Sequence, residues 1–406
     1  MLSGTSALLS AVTALEHESG QAVLATVVKV EGSAYRRPGA RMLIPLYGGT
    51  VGTISGGCLE SEVAKKAWWL TDGGEAVIRR YSTATQDDDD DQDAALTFGL
   101  GCNGTVHVLL ERHSPEKPLP ILDLLRQVRE SGQAGAVATV IASYRNARVR
   151  VGDRLSLHSS LADSGRLIDP ALDAQIRTDL AKTLAQTRSS LHTYRDERGE
   201  IEVFCEYLAP QRRLVIFGAG HDAQPLSHMA KLLDWHVTVV DGRAHFARAE
   251  RFPDADLVLQ ADARPPYELG HLTDGAMVAI MSHSYNQDRH WLGGVLQGNP
   301  AYIGQLGPRD RTERLLVEIR QQTTQLPALE RLHYPIGLDI GGDTPESVAT
   351  AILAEMTAAL NQRSGGMLKH RQAAIHAPTP LDCNNIEPAT RLNASSPPDC
   401  IEATGS

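Results

Sequence analysis

The chain is predicted to be an α/β protein, with a mixed α/β N-terminal part followed by a doubly wound parallel sheet. Three observations predict this. A β-branched run at residues 22–30 leads through short strand-like segments to a glycine-rich junction and a helix. The same pattern recurs, weakened, over the segment that follows. Beyond Arg212 the apolar run Leu214-Val215-Ile216-Phe217 meets a glycine turn, then a helix, then a second strand ending in an acid.

Composition narrows the function classes. At 406 residues the chain has room for two or three domains, each with its own core. A hydrophobic share of 42%, a charged share of 22% and a net charge of −10 suit a soluble protein and argue against a general nucleic-acid or membrane-surface binder. No uncharged apolar run approaches the roughly 20 residues of a membrane span. No basic region followed by an apolar core marks an export signal at the N-terminus. Five scattered cysteines do not read as a disulfide framework, so a reducing cytoplasm is expected.

Along the N-terminal part, residues 5–19 suit a helix with Leu8, Leu9, Val12 and Leu15 on one side. Strands are expected at 22–30, 41–45 and 50–54, the last two joined by a turn at Gly48-Gly49. Then comes Gly52-Thr53-Ile54-Ser55-Gly56-Gly57-Cys58-Leu59-Glu60, leading into a helix through Trp68 and Trp69. A thiol thus sits where strand gives way to helix, beside two residues without side chains. Free N–H groups and the helix dipole there favour anions, thiolates included. A buried cysteine at a tight turn explains the position equally well. Strands at 76–81 and 105–111 flank an insert holding Asp87 to Asp91, read as a charged loop rather than a calcium site.

The recurrence is specific. Ala25-Thr26-Val27-Val28 matches Ala138-Thr139-Val140-Ile141, and the same displacement brings Gly39 to Gly152, Arg41 to Arg154, Gly52 to Gly165 and Leu59 to Leu172. The segment from Val106 to Glu111 matches that from Ile201 to Glu206 at a shorter displacement, as loss of the aspartate-rich insert would give. Where the first copy has Gly56-Gly57-Cys58, the second has Asp169-Pro170-Ala171. A degenerate duplication in which only the first copy keeps a site is one reading; chance similarity of two β-rich segments is the other. The expected divisions are 1–113, 114–208, 209–362 and a tail at 363–406.

The C-terminal part opens with Gly218-Ala219-Gly220-His221-Asp222-Ala223 between strand and helix, and the strand at 236–240 ends in Asp241. Asp241 stands about 20 residues on, where a ribose-binding carboxylate is expected, so the part reads as Rossmann-like. Gly218, Gly220, His221, Asp241 and His283 are its candidate nucleotide-binding residues; His283 follows a strand end, where such sheets bind ligands. Asp343 and Glu346 have capping-box spacing, with Pro345 in the first turn of the last helix. Beyond Arg363 the Ser-, Pro-, Asn- and Thr-rich composition predicts disorder, and Cys383 and Cys400 receive no role.

Taken together, several segments resemble the XdhC/CoxI family, accessory proteins of molybdenum hydroxylases such as xanthine dehydrogenase. They are the run from Gly32 to Met42, the Cys58 junction, Gly99-Leu100-Gly101-Cys102-Asn103-Gly104-Thr105, the glycine turn, Val239-Val240-Asp241, Phe252-Pro253, His283 with Asp288, Tyr302-Ile303-Gly304 and the stretch from Pro335 to Pro345. The resemblance covers residues 8–362. Tyr35 departs from it where proline is expected, and Asn103 where glycine is expected. It implies a protein that binds the molybdenum cofactor (molybdopterin), supports its sulfuration with a cysteine desulfurase, and delivers it to a molybdenum hydroxylase apo-enzyme.

The residues suit an anionic metal-pterin cargo. Backbone amides at Gly56 and Gly57 can receive an anionic oxygen, and Arg36 and Arg37 can hold phosphate. Cys58 can contact molybdenum or relay sulfur, with Cys102 as second thiol; Glu60 completes the set. No direct protein ligation of a metal is expected beyond that contact. Arg36 and Arg37 also fit a solvated loop, and Cys102 a packed residue at the start of a strand. Two rival functions stand: an NAD(P)-dependent oxidoreductase using the Rossmann-like part, and a sulfurtransferase carrying a persulfide on Cys58. A homodimer is expected, symmetric pairs being the commonest assemblies.

Overall fold

A computed structural model describes residues 4–82, 96–97, 104–144, 149–158, 161–165, 167, 169–196, 199–261, 269–323 and 325–372. The aspartate run, Cys102, Asn103, Cys383 and Cys400 lie outside the described residues. The first unit contains α1 (Thr5–His17), β1 (Ala22–Gly32), β2 (Arg41–Pro45), β3 (Val51–Gly52), α2 (Glu60–Leu70), β4 (Val77–Ser82), β5 (Leu96–Thr97) and β6 (Gly104–His113). Strand β1 is buried on both faces, which is why its sequence is a continuous apolar run. Ala22 and Leu24 face Leu8, Val12 and Leu122, whereas Val23, Ala25 and Val27 face Ile54, Val63 and Ala67.

The second unit contains α3 (Pro120–Ser131), β7 (Gly135–Tyr144), β8 (Arg154–His158), β9 (Leu161–Ser164), α4 (Pro170–Gln186), β10 (Ser190–Asp196) and β11 (Gly199–Leu208). The first sheet runs β3-β2-β1-β6-β4-β5 and the second β9-β8-β7-β11-β10, so corresponding strands occupy corresponding places. Both central pairs carry a bulge at the matched residue, Val28 in β1 and Ile141 in β7. These two residues pack with Leu109 and Phe204 in a small shared core between the sheets. Around it the ion pairs are exchanged. Arg41 of the first unit grips Glu206 of the second, while Arg154 of the second grips Glu111 of the first. This is the arrangement a pseudo-two-fold pair produces.

The third unit is the parallel sheet of β12 (Arg213–Phe217), β13 (His236–Asp241), β14 (Leu257–Gln260), β15 (Met277–Ile280), β16 (Tyr302–Gln305) and β17 (Leu332–His333). Helices α5 (Ala223–Leu232) and α9 (Pro345–Leu360) cover one face through Leu226, Ala230, Ile352 and Met356. On the other face lie α7 (Tyr285–Leu296) and α8 (Arg309–Gln322), packed through Trp291, Val295, Leu315 and Ile319; the short α6 (Gly270–Thr273) precedes β15. The order β14-β13-β12-β15-β16-β17 with all pairs parallel is the Rossmann arrangement, and the chain reverses direction across the sheet between β12 and β15. Among the described residues no helix is long and apolar enough to cross a membrane.

Three expectations change. The strand at 50–54 shrinks to Val51–Gly52, because Thr53, Ile54 and Ser55 bond to a side chain instead of a neighbouring strand. The cap of α9 is Thr344, reciprocated by Ser347, rather than Asp343 with Glu346; Pro345 does occupy the first turn. The capping motif lies one residue later than the acidic spacing suggests, since a hydroxyl at each end serves as well as two carboxylates. The described residues 363–372, placed in the expected tail, include a short turn at Leu368–His370, with Gly365 beside Leu338.

Candidate functional site

The turn before α2 is built by two side chains. Ser55 Oγ accepts the amides of Gly57 (3.3 Å), Cys58 (3.1 Å) and Leu59 (3.1 Å). The Glu60 carboxylate reaches back to the hydroxyls of Thr53 and Ser55 and to the amides of Ile54 (3.2 Å) and Ser55 (2.8 Å). Gly57 has φ +109°, a conformation a side chain would strain. The consequence is an outward-facing thiol: Cys58 is exposed, as are Gly56 and Gly57.

Two expectations are corrected here. Of the Gly56 and Gly57 amides expected to receive an anion, that of Gly57 is already accepted by Ser55, as is that of Cys58. Glu60 positions the loop rather than facing a ligand, its oxygens being taken by donors of residues 53–55. The second unit repeats the device: Asp169 accepts the amides of Ala171 and Leu172, and Asp173 that of Leu167, but no thiol stands there. Ser55 was missed in the sequence, although a serine just before a helix start is a capping signal.

Burial alone would raise the Glu60 carboxyl, but hydrogen bonds from Ser55 and Thr53 outweigh it and hold it at about 2. The folded value lies below the ordinary 4.5, so the loop-fastening contribution is complete above about pH 4.5 and is lost as pH falls through about 2. Thermal melts across that window should show the wild type losing stability more steeply than Glu60→Gln. Parallel curves would show that the carboxylate does not fasten the loop.

Arg36 is half-buried, and among the described residues its Nε has no hydrogen-bond partner. Arg37 is exposed and lines a groove of about 910 Å³ with Asn361, Arg363, His370 and Arg371, a lining that does not include the Cys58 turn. Tyr35, one of the two departures from the family pattern, is brought to that turn: its ring carbons lie 3.4–3.7 Å from where a Cβ on Gly56 would stand.

The second candidate region lies at the carboxyl ends of β12 and β15. Gly218 has φ +121°, and a Cβ there would come within 2.5 Å of the Met281 carbonyl, so only glycine lets the two strand ends meet. His283, itself at φ +59°, places Nε2 2.7 Å from Asp222 Oδ2, beside Gly220. His221 points elsewhere, into a cavity of about 770 Å³ shared with Gln224, Arg251 and Phe252.

Asp241 differs from the ribose-binding expectation. It is fully buried and accepts the Ala219 amide at 2.8 Å, while Arg243 clamps it through its own amide and the Nε and Nη2 of its guanidinium. Burial opposes the charge, but the Arg243 hydrogen bonds and the Ala219 amide keep the carboxyl below its usual range. A ribose diol would have to displace Arg243. Arginine two residues after the acid was the overlooked signal.

Comparison with known proteins follows this division. Residues 15–82, which hold the Cys58 turn, match the model described as the XdhC and CoxI family; residues 214–356 match the XdhC Rossmann domain. The chain is 31% identical over 347 residues to a protein of Bacillus subtilis described as a probable xanthine dehydrogenase subunit, covering 84% of this chain and 94% of that one. The chain belongs to the XdhC and CoxI family. Within reach of this XdhC-type chain is also the molybdenum cofactor insertion chaperone PaoD of Escherichia coli, 27% identical over 352 residues and 85% of each protein. A crystal structure described as a xanthine dehydrogenase from Bacillus halodurans superposes with a TM-score of 0.67 at 26% identity, covering 88% of this chain and 95% of the other. The two family segments thus separate the thiol turn from the Gly218 turn, and each retains its own geometry.

Proposed function

We propose that this protein is an accessory factor that binds the molybdenum cofactor, supports its sulfuration and delivers it to a molybdenum hydroxylase such as xanthine dehydrogenase. The observation that carries the reading is the exposed Cys58 thiol, presented on a turn fastened by Ser55 and Glu60, in a chain of the XdhC and CoxI family. A soft sulfur donor on a rigid, open loop suits a thiophilic metal cargo that must enter and leave. The relationship to an insertion chaperone supports the same role. In this reading the partners are the apo-hydroxylase and a cysteine desulfurase, and the protein works in the cytoplasm as a homodimer.

The test is direct. Full-length protein purified from molybdopterin-producing cells should release a fluorescent molybdopterin oxidation product in near-stoichiometric amount. Its absence from protein isolated without oxygen would overturn the proposal. The sulfurtransferase reading draws on the same exposed thiol, and a sulfane-sulfur mass increment on Cys58 after incubation with a desulfurase would favour it. The Rossmann unit binding NAD(P) is the weaker reading, since Asp241 is closed under Arg243.

A further inference from the structure

We infer that Tyr35 is the stacking residue for the planar ring of the cargo, an inference that rests on the pterin-binding function proposed above. The tyrosine is 73% exposed although it sits between half-buried neighbours, Ala34 and Arg36. Its ring lies against the bare backbone of Gly56, two residues from the Cys58 thiol. Gly56 itself is not forced by its backbone: its φ is ordinary, and a Cβ there would only touch the ring at 3.4 Å. One flank of the ring rests on the turn while most of its surface stays in water. The Gly57 and Cys58 amides bond to Ser55, so this corner offers a ligand a flat aromatic surface and a sulfur more than amide donors.

That pairing matches a ligand planar at one end and metal-bearing at the other. An exposed aromatic holds a heterocycle by stacking, an interaction tolerant of substitution at the ring edge. Tyr35 is therefore a binding residue for the pterin plane, separate from the thiol contact.

The test uses the full chain and pterin-6-carboxylate, a fluorescent heterocycle without metal or phosphate. Stacking quenches its emission, so titration reads both affinity and contact. Wild type should bind with quenching. Tyr35→Ala should weaken binding by about tenfold or more, as loss of one aromatic–base stack does, and should lose the quenching. Tyr35→Phe and Tyr35→Trp should retain both, while Tyr35→Leu should behave like alanine. Circular dichroism should show all variants folded, since the side chain is largely in solvent. Wild-type binding with Tyr35→Ala or Tyr35→Leu unchanged within twofold would overturn the stacking role alone. Absence of pterin binding by the wild type would overturn the cofactor-binding function and this inference with it.

Discussion

Replacing Cys58 by alanine should leave the fold intact while lowering retained molybdopterin by about tenfold or more, the factor that one contact of about 1.4 kcal/mol contributes. The fold survives because the thiol is exposed, and surface substitutions of this kind usually change stability by no more than about 0.5 kcal/mol. The turn also survives. It is held by Ser55, Glu60 and the Cys58 backbone amide, none of which the substitution removes. What disappears is the sulfur. Cys58→Ser separates shape from chemistry, since the hydroxyl fills the same space with a hard donor; it should resemble alanine in retention. Quantifying the oxidised pterin per mole of purified protein checks the expectation, and activity of the client hydroxylase in cells carrying the variant gives a second readout. Equal retention by wild type and both variants would remove Cys58 from the site.

The largest stability effect is expected at the ion pairs exchanged between the first two units. Arg154→Ala leaves Glu111, whose side chain is only 5% exposed, as a buried charge without its partner. Breaking a buried pair from one side costs about 3–5 kcal/mol, because the remaining ion has no water to return to. Burial works against the charge of Arg154, and its attraction to Glu111 overrides that penalty. Arg41→Ala should cost a similar amount through Glu206, the matched carboxylate of the other unit, at 8% exposure. Removing both partners, as in Arg154→Met with Glu111→Leu, should recover most of the loss, since apolar replacement of a whole buried pair is often neutral. Urea midpoints at constant slope measure all three. Losses below about 1 kcal/mol for both single variants would show the exchanged pairs to be ornamental, with affinity of the units carried by the Val28, Leu109, Ile141 and Phe204 core.

Much of the fold was legible because its signals are local. The buried strand β1, the glycine turn before α5 and the parallel sheet itself follow from apolar runs and turn residues. Even the correspondence of the first two units could be read, since matched glycines and arginines keep their spacing. The partners of those arginines were not readable. Glu111 and Glu206 lie within the matched closing segments, yet each pairs with the arginine of the opposite copy, a fact of packing between sheets.

The candidate site divides in the same way. Sequence alone determined that a thiol stands between two glycines and a helix, that an acid ends β13, and that tyrosine occupies a position where the family resemblance leads one to expect proline. Only the tertiary structure decided which groups remain available. Ser55 takes the Gly57 and Cys58 amides, Arg243 closes over Asp241, and Tyr35 is laid against Gly56 beside an exposed Cys58. The physical reason is that a polar group binds a ligand only if no nearer partner within the chain has already satisfied it. That competition is settled by distances across the fold, which residue order does not contain.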